Sequence, residues 1–82
     1  MANRLKQDIS IGKNLKRYRA KTGLSQEKVV ARLQVQGLDI SREVLSRIER
    51  GKYNVRISVL LALSDLYNVP IQDFFADLER CE

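Results

Sequence analysis

The sequence predicts a small all-α domain of five helices, and three features carry that prediction. Apolar residues recur three and four positions apart, and the periodic segments are bounded by Ser at one end and by Gly or Asn at the other. No segment alternates apolar and polar residues as a half-buried strand does. The chain has 82 residues, 44% of them apolar, which suits one core over residues 1–82 and leaves no room for a second. Only Tyr18, Tyr53, Tyr67, Phe74 and Phe75 are aromatic, so that core is built mainly from Leu, Ile and Val.

The first helix is expected over about residues 10 to 21. Ile11, Leu15 and Tyr18 form its inner face, with Lys13, Lys16, Arg17 and Lys21 between them, and Gly23 ends it as a left-handed residue. Ser25 then caps a second helix, with Gln26 following and Glu27 in the first turn, where a carboxylate suits the helix dipole. Val29, Val30 and Leu33 are its buried face, and Gly37 marks its end. After Leu38, Asp39 and Ile40, of which Leu38 and Ile40 are expected to be buried, Ser41 caps a third helix that stops at Gly51. Val44, Leu45 and Ile48 point inward from it, and Arg42, Glu43, Ser46, Arg47 and Arg50 point outward.

The run Lys52-Tyr53-Asn54-Val55 reads as a loop. A strongly apolar fourth helix follows from Ser58 to Tyr67, carrying Leu60, Leu61, Leu63 and Leu66, with Asn68 as a left-handed stop. Pro70 opens a short fifth helix whose Ile71, Phe74, Phe75 and Leu78 are expected to face the core. Tyr18, Leu33, Leu45, Ile48, Leu63, Leu66 and Phe74 are read as core side chains. The folded part is expected at about residues 9 to 78, with Met1 to Lys6 and Glu79 to Glu82 frayed.

Fifteen basic residues against ten acidic ones give a net charge of +5, distributed unevenly. Residues 1–21 hold seven basic residues and Asp8 (+6), residues 22–50 five and four (+1), and residues 51–82 three and five (−2), which sum to +5. One cationic pole points to a polyanion such as DNA, although a merely soluble basic surface has the same composition. The single cysteine, Cys81, has no intrachain partner and fits a reducing compartment. The longest apolar run, Val59 to Leu63, is far short of the roughly 18 residues of a membrane span. No charged-then-apolar leader is recognisable, so a cytoplasmic protein is expected.

Three separated stretches, Gly23-Leu24-Ser25-Gln26-Glu27, Ile40-Ser41-Arg42 and Ser46-Arg47-Ile48-Glu49-Arg50-Gly51, resemble the Cro/cI-type (XRE-like) helix-turn-helix repressors, from about Ile11 to Phe75. The resemblance implies a compact five-helix, lambda-repressor-like DNA-binding domain, with its helix-turn-helix at about residues 25–51. It implies that Arg42, Glu43, Ser46 and Arg47 read bases and that Gln26, Arg50, Lys52, Asn54 and Arg56 meet the DNA backbone. It further implies a structural ion pair between Arg19 and Glu49. Physical chemistry supports the same helix, because entry to the major groove requires one face packed on the domain and another offering polar groups to base edges. Read alone, the outer side chains of the third helix also fit a solvated face, and Lys52, Asn54 and Arg56 fit an ordinary loop. Lys13, Lys16 and Arg17 fit phosphate contacts, long-range attraction or plain solvation equally well. The stretch from Ser25 to Ser41 is several residues longer than usual in that family, which lengthens the second helix, the turn, or both.

The function expected from these features is a sequence-specific double-stranded DNA-binding transcriptional regulator, a dimeric repressor or autoregulator of bacterial or phage origin. Its partners are an operator and a second copy held through the C-terminal helices. The alternative is an antitoxin-like or other protein-partner-binding helical module with secondary DNA binding. An enzyme is disfavoured by the lack of His, of a Gly-rich phosphate loop and of a metal-ligand cluster, so no cofactor and no metal are expected.

Overall fold

In the computed structural model, residues 4–5, 9–52, 54–76 and 79–80 are described. Tyr53, Leu78 and Cys81, to which the sequence assigned places in a loop, a core and a tail, lie outside them. Four α-helices make up most of the fold: α1 (Gly12–Thr22), α2 (Gln26–Val35), α3 (Arg42–Glu49) and α4 (Ile57–Tyr67). Their starts and stops follow local chemistry. The Ser25 hydroxyl accepts from the Lys28 N–H and the Ser41 hydroxyl from the Val44 N–H, each at 3.2 Å. The four helices end in left-handed residues, Gly23, Gly37, Gly51 and Asn68.

The fifth helix is a correction. Ile71–Phe75 forms a 3-10 helix rather than an α-helix, so the α-helices number four among the described residues. The Asp73 N–H reaches Pro70 O at 2.9 Å, and the chain turns extended at Ala76. The Asn14 side-chain amide clamps the end of this turn: its Nδ2 donates to Phe74 O at 2.9 Å and to Ala76 O at 2.6 Å, so these carbonyls are held by α1.

Two short antiparallel pairings also depart from the sequence reading. β1 (Arg4–Leu5) pairs with β3 (Val55–Arg56), and β2 (Ile9–Ser10) pairs with β4 (Glu79–Arg80). Both terminal segments were expected to be frayed, yet each is tied in part by backbone pairing. Strands of two residues are too short for alternation to register in a sequence. The β2 pairing also accounts for α1 beginning at Gly12 rather than near residue 10.

The core gathers Leu15 of α1, Val29 and Leu33 of α2, Leu45 and Ile48 of α3, and Leu60 and Leu63 of α4 around Phe74. Phe74 meets the rings of Tyr18 and Tyr67 at centroid distances of 5.9 and 6.4 Å, tilted and edge-on. Ile40 is buried, and Leu38 is half-buried against the core. Tyr18 and Leu66, expected as core, are likewise only half-buried, while Phe75 and Leu61 stand 40% and 54% exposed. α1 crosses the end of α3 so closely that a Cβ at Gly12 would overlap the backbone carbonyls of Ile48 and Glu49.

Candidate nucleic-acid interface

α3 is held from both ends and from beneath. Ser41 caps its start. At its end the Gly51 N–H bonds Ile48 O at 3.0 Å and the Lys52 N–H bonds Arg47 O at 2.8 Å, with Gly51 at φ 71°. This is the Schellman arrangement, which stops the helix sharply and turns the chain away. Leu45, Ile48 and Glu49 are buried and Val44 half-buried, whereas Arg42, Glu43, Arg47 and Arg50 are exposed and Ser46 is half-exposed. Eight residues make a helix about 12 Å long, comparable with the width of the B-DNA major groove.

Behind this face lies a saturated polar cluster. Arg19 Nε donates to Glu49 Oε2 at 2.7 Å and Arg19 Nη2 to Glu49 Oε1 at 3.1 Å, a two-pronged ion pair between α1 and α3. The third prong, Arg19 Nη1, donates to Leu24 O at 3.0 Å in the connection to α2. Gln26 Nε2 at the start of α2 donates to Glu49 Oε1 at 2.9 Å. Because a carboxylate only accepts, the Gln26 amide nitrogen must be the atom facing it, which fixes that side chain's orientation. Glu49 is only 5% exposed and occupies the last turn of α3, where a negative charge opposes the helix dipole; its partners on α1 and α2 offset that penalty. The hydrogen bond to Glu49 holds the Arg19 guanidinium above its ordinary range, with burial opposing.

The expected site residues fall into three groups. Ser46 of α3 and Arg50, the residue that follows its last turn, border a groove of about 400 Å³ shared with Lys13 and Lys16 of α1, Gln26 of α2 and the Glu49 carboxylate. Arg42 borders a second depression of about 350 Å³ with Arg19, Ser25, Gln26 and Glu27, which places it against the N-terminus of α2. Asn54 and Arg56 border neither. They edge a small cavity of about 60 Å³ with Asp39, Ile40, Val44, Ile48 and Val59, beneath the turn between α2 and α3. Glu43, Arg47 and Lys52 project from the surface. Among the described residues, no ion pair or hydrogen bond engages the side chains of Arg42, Glu43, Arg47 or Arg50.

The extra length between Ser25 and Ser41 is distributed over the ten residues of α2 and a connection of residues 36–41. That connection is tied by the Leu38 N–H to Leu33 O at 3.0 Å and by Gln34 Nε2 to Ile40 O at 3.0 Å. Two features went unread in the sequence: the Gln26 to Glu49 bond and the Asn14 clamp on the C-terminal turn. Neither has a local signal, since each joins residues 23 or 60 positions apart.

Comparisons with known proteins agree with this geometry. A helix-turn-helix domain family profile matches residues 10–74. The chain is 36% identical over 73 residues to the control protein C.MunI of Mycoplasma sp, covering 88% of this chain and 92% of that protein. It is 34% identical over 61 residues to an uncharacterised HTH-type transcriptional regulator of Methanocaldococcus jannaschii, covering 74% and 85%. The crystal structure of the restriction-modification controller protein C.AhdI from Aeromonas hydrophila superposes with a TM-score of 0.65 at 31% identity, over 79% of this chain and 87% of that one.

Proposed function

The chain belongs to the helix-turn-helix family of DNA-binding transcriptional regulators, and from that premise we propose that it acts as a dimeric repressor or autoregulator reading an operator with α3. One observation carries the reading: α3 is buried along one side, while its other side offers Arg42, Glu43 and Arg47 with no intramolecular partner among the described residues. Arginine suits a bidentate contact to guanine and glutamate accepts from cytosine, so Arg42, Glu43, Ser46 and Arg47 are assigned to bases. Gln26, Arg50, Lys52, Asn54 and Arg56 are assigned to the sugar-phosphate backbone. Arg19 and Glu49 position α3 and the start of α2 relative to each other.

A second copy fits the C-terminal side, where Ile57 and Leu61, one turn apart on α4, are 41% and 54% exposed and Phe75 is 40% exposed. Two linked half-sites multiply the affinity of a domain that alone grips few phosphates. Among the similar proteins, that of Mycoplasma is named a control protein, that of Aeromonas hydrophila a restriction-modification controller protein and that of Methanocaldococcus jannaschii a transcriptional regulator, which favours a regulator over a partner-binding module. A cytoplasmic setting in a bacterium or phage host follows from the same reading. No helix among the described residues is long and apolar enough to cross a membrane.

Selection of binding sites from a random duplex library at near-physiological salt tests the proposal. A two-fold-related motif with half-sites about 10 base pairs apart is the expected product. Recovery of nothing above non-specific binding would sink the operator-reading function, and a lone half-site would sink the dimer.

A further inference from the structure

We propose that the cavity beneath the turn between α2 and α3 is an effector site for a small aliphatic α-amino acid, with valine as the representative ligand. Its part in regulation rests on the DNA-reading function above, whereas the site itself rests on the cavity. Ile40, Val44 and Ile48 line it together with Val59 of α4, and all four are buried or half-buried, so the floor is apolar. The remaining liners are exposed or half-buried and form the rim: the acid Asp39, the amide Asn54 and the base Arg56. Among the described residues, no hydrogen bond or ion pair engages the side chains of these three. Arg56 is the most demanding of them. It is half-buried and occupies the N-cap position of α4, where no side chain caps the helix. A cation there adds to the positive end of the helix dipole, so the position attracts an anion from outside the chain.

Volume and charge together choose the ligand. The cavity of about 60 Å³ offers roughly the room of two waters in the liquid, whereas one that takes a benzene ring needs about 150 Å³. A short aliphatic chain fits the floor, and aromatic rings and nucleobases do not. Arg56 and Asn54 offer donors to a carboxylate, and Asp39 offers an acceptor to an ammonium group while repelling a phosphate or a second carboxylate. A molecule that carries both charges on one carbon, with an aliphatic chain beside them, meets the whole rim and the floor at once. That is the description of an α-amino acid. Asn54 and Arg56 are also the residues assigned to the DNA backbone, so a bound carboxylate draws on donors that the operator would use. By linkage the amino acid and the operator then lower each other's affinity by the same factor.

The site is tested first on the full chain without DNA, by following backbone amide shifts as valine is added to about 10 mM, tenfold above the roughly 1 mM dissociation constant expected of so small a ligand. Saturable shifts confined to Ile40, Val44, Ile48, Val59 and their neighbours are expected. Isobutyrate lacks the ammonium, isobutylamine lacks the carboxylate and phenylalanine is too large, so each is expected to bind about tenfold more weakly or less. Asp39→Asn, a change at an exposed position, is expected to abolish the preference for valine over isobutyrate. Affinity for the selected site is then titrated with and without valine, and a weakening of about tenfold is expected for the wild type but not for Asp39→Asn. Absence of a saturable shift with valine, or shifts spread over the whole domain, would overturn the site. Equal binding of valine and isobutyrate would overturn amino-acid recognition, and confined shifts with unchanged operator affinity would overturn the regulatory role. A protein with no preference for any duplex removes the operator-reading function alone, because the valine shifts are read before DNA is added.

Discussion

On the inner side of α3 the Glu49 carboxylate receives three hydrogen bonds from two other helices, whereas on the outer side Arg42, Glu43 and Arg47 receive none among the described residues. The two sides of one eight-residue helix thus treat charge in opposite ways. Inside, low solvent access makes any unmatched charge costly, so the polar groups are matched and fix three helices against one another. Outside, water satisfies the arginines until a ligand replaces it, and their value lies in being uncommitted. A helix built this way is rigid in placement and open in chemistry, which a groove reader requires.

Glu49→Ala breaks the comparison at its centre and carries the largest expected effect. It strands the Arg19 guanidinium, whose side chain is 15% exposed, and frees the Gln26 amide. A loss of about 3 kcal/mol is expected in urea or thermal unfolding, the low end for breaking a buried pair because Arg19 keeps some solvent. A loss below about 1 kcal/mol would place the pair with ordinary surface bridges. On the outer side the readout inverts. Arg47→Ala is expected to leave stability within about 0.5 kcal/mol while weakening binding to the selected site by about 1–3 kcal/mol, with little change on random DNA. Lys52→Ala is expected to weaken both duplexes alike and to flatten the salt dependence by about one unit. Equal losses on both duplexes for Arg47→Ala would move that residue from the bases to the backbone.

Legibility follows the same division between local and remote causes. The helix boundaries were readable because Ser25, Ser41, Gly23, Gly37, Gly51 and Asn68 act on backbone groups a few residues away. The outer face of α3 was readable because periodicity alone separates Arg42 and Arg47 from Leu45 and Ile48. The Arg19–Glu49 pairing was available only through the family resemblance. Residues 30 positions apart meet here because of the packing of α1 on α3, which no local pattern encodes. Asn14 is the plainest miss. Nothing in the sequence singles it out, yet it is 6% exposed and holds two carbonyls of the C-terminal turn. Asn14→Ala is expected to cost about 1–2 kcal/mol by leaving two carbonyls without that donor. Amide exchange in Ile71–Phe75 should accelerate more than in α3; if exchange rises equally in both, Asn14 is supporting the whole core instead.

Tyr67 gives the smallest effect and the sharpest limit on the claim that the inner side is saturated. Its hydroxyl is buried and has no hydrogen-bond partner among the described residues, while its ring meets Phe74 edge-on. Burial holds the phenol well above its ordinary range and the nearby Glu49 charge pushes the same way, with Arg19 opposing. Tyr67→Phe keeps the ring and removes the unmatched oxygen, so a gain of up to about 1 kcal/mol is expected near neutral pH, visible as a rise of a few degrees in Tm. The pH dependence has a definite sign. Above about pH 10 an unfolded tyrosine releases its proton while the folded one keeps it. Stability present below that pH is therefore lost as pH rises, by up to about 1.4 kcal/mol per pH unit from this group. The Phe variant should lose stability less steeply in that window. If instead Tyr67→Phe destabilises the protein at neutral pH by about 1 kcal/mol or more, the hydroxyl meets an ordered water in solution. The inner side of the domain would then be as fully matched at Tyr67 as it is at Glu49.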